Sequence, residues 1–84
     1  MLLLAAVHFS REHWSVTAAR LWLQEHGMTA AYDLQADRDY LVFPQLPAPP
    51  RAGLGLSLVP LLDDHGRSIV LVLSQVGALS RRVW

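Results

Sequence analysis

The chain has 84 residues, no cysteine, and seven positive charges balanced by seven negative ones. That length holds one domain with one modest core, and the missing cysteines exclude a disulfide framework, a thiolate metal site and a thiol nucleophile. A formal net charge of zero argues against a general nucleic-acid binder, which needs a basic face to neutralise phosphates.

The start, MLLLAAVHFSREHW, has a short apolar run without a basic flank or a small-residue cleavage site, so it does not read as a signal peptide. No later segment approaches the roughly 18 uninterrupted apolar residues of a membrane span. The expectation is a single domain over residues 1–84, cytoplasmic and without a membrane partner.

Residues 2–9, LLLAAVHF, form a short apolar run of strand length. A helix follows through EHWSVTAARLWLQEHG. Ser10 is the first candidate cap and Ser15 the second, since either hydroxyl can accept a first-turn N–H. Gly27 suits the left-handed position that closes a helix, with His26 beside the negative helix end. Trp14, Ala18, Leu21 and Trp22 make an apolar stripe, widened by Val16, Ala19 and Leu23. The polar arc is only His13, Thr17, Arg20 and Gln24, narrower than a sheet-packed surface helix usually shows. That pattern predicts a helix covered on more than one side.

AAYDL and DYLVFPQL then read as strands joined by a turn at QADR. PAPPRAG, residues 47–53, reads as a stiff proline-rich connection; its Arg directly follows the last Pro, the wrong offset for a groove-binding PxxP ligand. LGLSLVPLL and RSIVLVLSQV form a second hairpin through DDHG, with Gly66 at the positive-φ position. Pro60 cannot donate to a ladder, so the 54–62 strand belongs at a sheet edge or bends there. The tail GALSRRVW has only Trp84 to anchor it. The expected fold is α+β: a single-domain, antiparallel-rich sheet with one main helix, in the order β-α-β-β-β-β.

RSIVLVLSQV is apolar on both faces: Ile69, Leu71 and Leu73 on one, Val70, Val72 and Val76 on the other. Five strands spaced about 4.8 Å apart make a sheet roughly 20 Å wide, whereas one helix is only about 10–12 Å across. The helix therefore leaves much of the sheet bare. Either the sheet curls, or another chain covers it, as a homodimer or a partner interface. Large exposed apolar patches are rare on monomers, which favours the second arrangement. The interface strand on this reading carries Val70, Val72 and Val76.

No residue pattern nominates chemistry. His8, His13, His26 and His65 lack metal-ligand spacing. His65 with Asp63 and Asp64 could form an oxygen/nitrogen metal site, but Asp-Asp before His-Gly is first a turn sequence. GLGLS has neither the third glycine nor the following helix of a phosphate loop. Without a buried acid/base pair there is no mechanism to assign, so no catalytic, cofactor or metal residues are named and the chain is expected not to be an enzyme. Binding residues are sought in Arg20 and Gln24 on the polar helix face and in Arg81, Arg82 and Trp84 of the tail, because Trp and Arg are enriched in binding hot spots. An Arg-mediated nucleic-acid contact would require Arg11, Arg20, Arg81 and Arg82 to converge.

The run FSREHWSVTAARLWLQEHGM resembles a small domain of phage head-maturation and related phage proteins. In that domain a strand leads into a helix of the form A-x-x-WL-x-x-HG, matched here by Ala19, Trp22, Leu23, His26 and Gly27. A following aromatic-x-Q-x-x-P segment is echoed by Phe43, Gln45 and Pro47 to Pro50. The resemblance covers about half the chain and implies a phage or prophage origin with a non-catalytic accessory role. The expected function is therefore a small protein-binding module that occludes a partner's surface, for example an inhibitor of a bacterial defence or CRISPR complex. A self-associating structural subunit is the first alternative, and a nucleic-acid binder the second.

Overall fold

In the computed structural model, which describes residues 2–46 and 56–75, one helix lies on a five-stranded antiparallel sheet. The elements are β1 (Leu2–Ser10), α1 (Val16–Glu25), β2 (Gln35–Ala36), β3 (Tyr40–Pro44), β4 (Leu56–Leu62) and β5 (Ser68–Gln75). This is the expected α+β class, in the expected order β-α-β-β-β-β. The strands lie side by side as β2-β3-β1-β5-β4, with β1 at the centre and β4 at an edge.

Register explains where the core sits. Val7 and Phe9 pair with Phe43 and Leu41 on one side and with Leu71 and Ile69 on the other. Side chains alternate across a strand, so these residues share one face. The helix lays Ala19 and Leu23, one turn apart, onto that face. Phe9 is fully buried at the middle, with the rings of Trp14, Phe43 and Trp22 edge-on at 4.8, 5.5 and 5.7 Å. Such edge-to-face pairs contribute beyond burial alone.

The helix begins at Ser15, not Ser10. The Ser15 hydroxyl accepts the Ala18 N–H at 3.1 Å, while the Ser10 carbonyl accepts the N–H groups of His13 and Trp14 and closes a separate turn. That turn takes Trp14 out of the helical stripe and still delivers it to the core, where its indole Nε1 donates to the Ser68 carbonyl at 3.1 Å. Among the described residues the sheet covers one side of the helix, and Leu21 is 54% exposed. With Ala19 and Leu23 aimed at the sheet, Leu21 is turned well away from them on a helix of 3.6 residues per turn. Gly27 ends the helix at φ +72°, and the Met28 N–H returns to the Leu23 carbonyl.

Strand β2 is shorter and later than the sequence suggested. Residues 30–34 form no strand; Gln35 and Ala36 pair with Val42 and Leu41. The Asp37 carboxylate accepts the N–H groups of Asp39 and Tyr40 at 2.8 and 2.7 Å, an Asx-type turn that closes the hairpin two residues later than composition suggested. The preceding segment is fastened to β3 by the Gln45 amide. Its oxygen accepts the Thr29 N–H at 3.0 Å, and its nitrogen donates to the Thr29 carbonyl at 2.7 Å.

The β4–β5 hairpin forms as expected, with Gly66 at φ +75°. Pro60 lies in the edge strand, the position its missing N–H allows. On β5, Ile69 is fully buried on the helix side and Val72 is buried on the other, while Val70 is half-buried. Val76, Arg81, Arg82 and Trp84, and the PAPPRAG connection, lie outside the described residues.

Candidate functional site

Two regions collect features that burial alone does not explain. The first is β4. Six of its seven residues are exposed, Leu61 being half-buried, although the sequence LSLVPLL carries no charge. Leu58 and Leu62 are 66% and 68% exposed, and Leu56 and Val59 also reach solvent. Pairing with β5 places Leu58 opposite Val72 and Pro60 opposite Val70. Leu56, Leu58, Pro60 and Leu62 thus share the face of the sheet remote from the helix. The exposed apolar surface therefore sits one strand further out than Val70 and Val72.

The second region is an open cleft of about 440 Å³ between the end of α1 and the β4–β5 turn, walled by Trp22, His26, Met28, Leu61, Asp63 and Arg67. The Asp63 side chain is only 4% exposed. Its carboxylate accepts from Arg67 Nε at 2.7 Å and lies 2.6 Å from Arg67 Nη2. It also accepts the backbone N–H groups of His65 and Arg67. Burial alone would raise the Asp63 pKa; the Arg67 side chain and these two N–H groups outweigh it and hold the carboxyl at about 2. The Arg67 guanidinium also stacks 3.8 Å over the Trp14 ring. Asp63 is thus fully engaged in tying the turn to the core.

The histidines are dispersed. His26 stacks on Trp22 at 4.0 Å, and its Nδ1 donates to the Trp22 carbonyl. His65 projects into solvent with Nδ1 3.7 Å from Asp63. His8 lies half-buried beside Tyr40, 5.8 Å between ring centres; burial lowers its pKa, with the charge of Asp37 opposing. Among the described residues no three His, Asp or Glu side chains gather as a metal-holding group. The hydroxyls of Ser15 and Thr29 accept backbone N–H groups.

Arg20 and Gln24 are exposed on the outer helix surface, as read from the polar arc. Arg11 donates to the Asp37 carbonyl at 2.6 Å, and Arg67 is committed to Asp63 and Trp14. The residues that carry the phage-domain resemblance have structural tasks: Leu23 and Phe43 fill the core, and Gln45 makes the clamp on Thr29. The exposed row on β4 was not singled out by sequence. Pro60 was its only signal, marking the strand as an edge. Among the described residues no helix is long and apolar enough to cross a membrane. No family model, curated protein or solved structure matches the chain.

Proposed function

We propose that this chain is a non-enzymatic protein-binding module that acts by occluding a partner's surface. The observation that supports it is the uncharged, solvent-exposed row Leu56, Leu58, Pro60 and Leu62 on an edge strand. An apolar edge left open to water is the kind of surface that natural proteins blunt or cover. The resemblance of the helix to a phage domain supports a phage or mobile-element origin. The target would then be a host protein complex in the bacterial cytoplasm, such as a CRISPR effector. The same uncharged row supports one second reading, a structural subunit that assembles with copies of itself.

A photo-crosslinking residue at position 58, with position 21 on the exposed helix face as control, tests both readings in a bacterial host. The module reading expects one dominant adduct to a foreign protein from position 58 and none from position 21. An adduct to a second copy would establish the subunit reading, and equal or absent labelling at the two positions would contradict the proposal.

A further inference from the structure

The bonding pattern of β4 carries the protein-binding reading one step further, on which the following inference rests. The Asp63 N–H donates to the Arg67 carbonyl at 3.0 Å, and the same register continues through Leu62↔Ser68 to Leu56↔Ser74. In an antiparallel ladder the main-chain groups of successive residues point alternately toward and away from the neighbouring strand. Asp63 faces β5, so Leu61, Val59 and Ser57 face β5 as well. The main-chain groups of Leu56, Leu58, Pro60 and Leu62 therefore point outward from the sheet edge.

Those same residues carry the exposed side chains on the face remote from the helix. Among the described residues the edge thus offers a donor and an acceptor at Leu56, Leu58 and Leu62, and an acceptor alone at Pro60. The proline sits where it leaves the β4–β5 ladder intact and removes one outward donor. A second copy pairing about a two-fold axis within β4 would bring two Pro60 residues into the seam. Each would delete a bond and press its ring toward a partner carbonyl. A foreign strand without proline meets only one.

The geometry points to β-strand addition: β4 receives an extended, uncharged segment of a different protein, antiparallel to it. Apolar residues at alternate positions of that segment would lie beside Leu56, Leu58 and Leu62. The incoming segment supplies a donor opposite the Pro60 carbonyl and extends the sheet by one strand.

The test uses the full chain, labelled for amide exchange by NMR, with an octapeptide of alternating Leu and Thr carrying a Lys-Lys tail. A fully N-methylated version of the peptide is the control, since its backbone has no donors. Strand addition expects exchange at the Leu58 and Leu62 amides to slow by roughly tenfold or more with the unmethylated peptide alone. The Val59 and Leu61 amides, already directed at β5, should change little. No protection, equal protection with both peptides, or protection that rises with protein concentration in the absence of peptide each overturns the inference, the last by placing a second copy on the edge. Leu58→Asp with Leu62→Asp separates this failure from that of the module reading. If the pair abolishes capture of the crosslinked partner while the peptide gives no protection, the row binds through side chains and only strand addition falls. If capture is unaffected, both fall.

Discussion

Phe9→Ala probes the packing on which every other element depends. Phe9 is fully buried and is the ring shared by three edge-on aromatic contacts, to Trp14, Trp22 and Phe43. Truncating a buried Phe to Ala costs about 3–5 kcal/mol through lost transfer energy and the cavity left behind. The aromatic contacts place Phe9 at the upper end of that range. A chain of 84 residues is stable by only about 4–12 kcal/mol, so this single change removes between roughly a third and all of the folding free energy. Thermal melts should fall by at least ~12 °C at about 4 °C or more per kcal/mol. Urea titration is the better assay, because the slope reports whether the unfolding transition itself has changed. Leu58→Ala on the exposed edge serves as the reference and should stay within about 0.5 kcal/mol of wild type. A Phe9→Ala loss below ~1.5 kcal/mol with an unchanged slope would refute the shared-ring core.

Ser15→Ala should cost about 1 kcal/mol in urea titration, because the Ala18 N–H loses its acceptor; the same change at Ser10 should cost less, since its carbonyl rather than its hydroxyl closes the turn. Asp63 has a depressed folded pKa of about 2 against an ordinary 3.8. Its contribution is therefore complete above the ordinary value and is lost as pH falls through about 2. Asp63→Asn should be less stable than wild type at neutral pH, with the gap closing in acid melts. His8 titrates below its ordinary 6.5 in the folded chain, so its neutral form supports folding. Stability should be full above that value and decline as pH falls through the lower folded one. His8→Gln should flatten this part of the melting curve.

Much of the architecture was legible in local patterns. LLLAAVHF read as a strand, Gly27 and Gly66 marked a helix end and a hairpin, and Pro60 marked an edge. These features work through the backbone of the residues concerned, so sequence exposes them directly. The helix start was less legible, because Ser10 and Ser15 are both good caps. What decided between them was Trp14, which reaches Phe9 and the Ser68 carbonyl from a turn rather than from a helix. The misplaced β2 has a similar origin: Asp37 can satisfy two N–H groups at once, and that local gain sets where the hairpin closes.

The candidate surface was only half legible. LSLVPLL and SIVLVLSQ are comparably apolar, and hydropathy does not rank two neighbouring strands by position. The order β1-β5-β4 does so through pairing between residues far apart in the chain. It buries Ile69 and Val72 and leaves Leu58 and Leu62 in water. Leu21 shows the same limit on the helix, where an apolar residue on the expected stripe lies exposed because the sheet contact is made one side over.

The central claim is that the outward row of β4 is the surface this protein works with. The most direct measurement is calorimetric titration of the partner crosslinked at position 58 against wild type and against the Leu58→Asp, Leu62→Asp pair. Thermal melts of both proteins accompany it, to hold folding constant. The claim predicts matching melts and an affinity loss of roughly a hundredfold, since placing two carboxylates in an apolar interface costs several kcal/mol. Equal affinity for two equally folded proteins would contradict it.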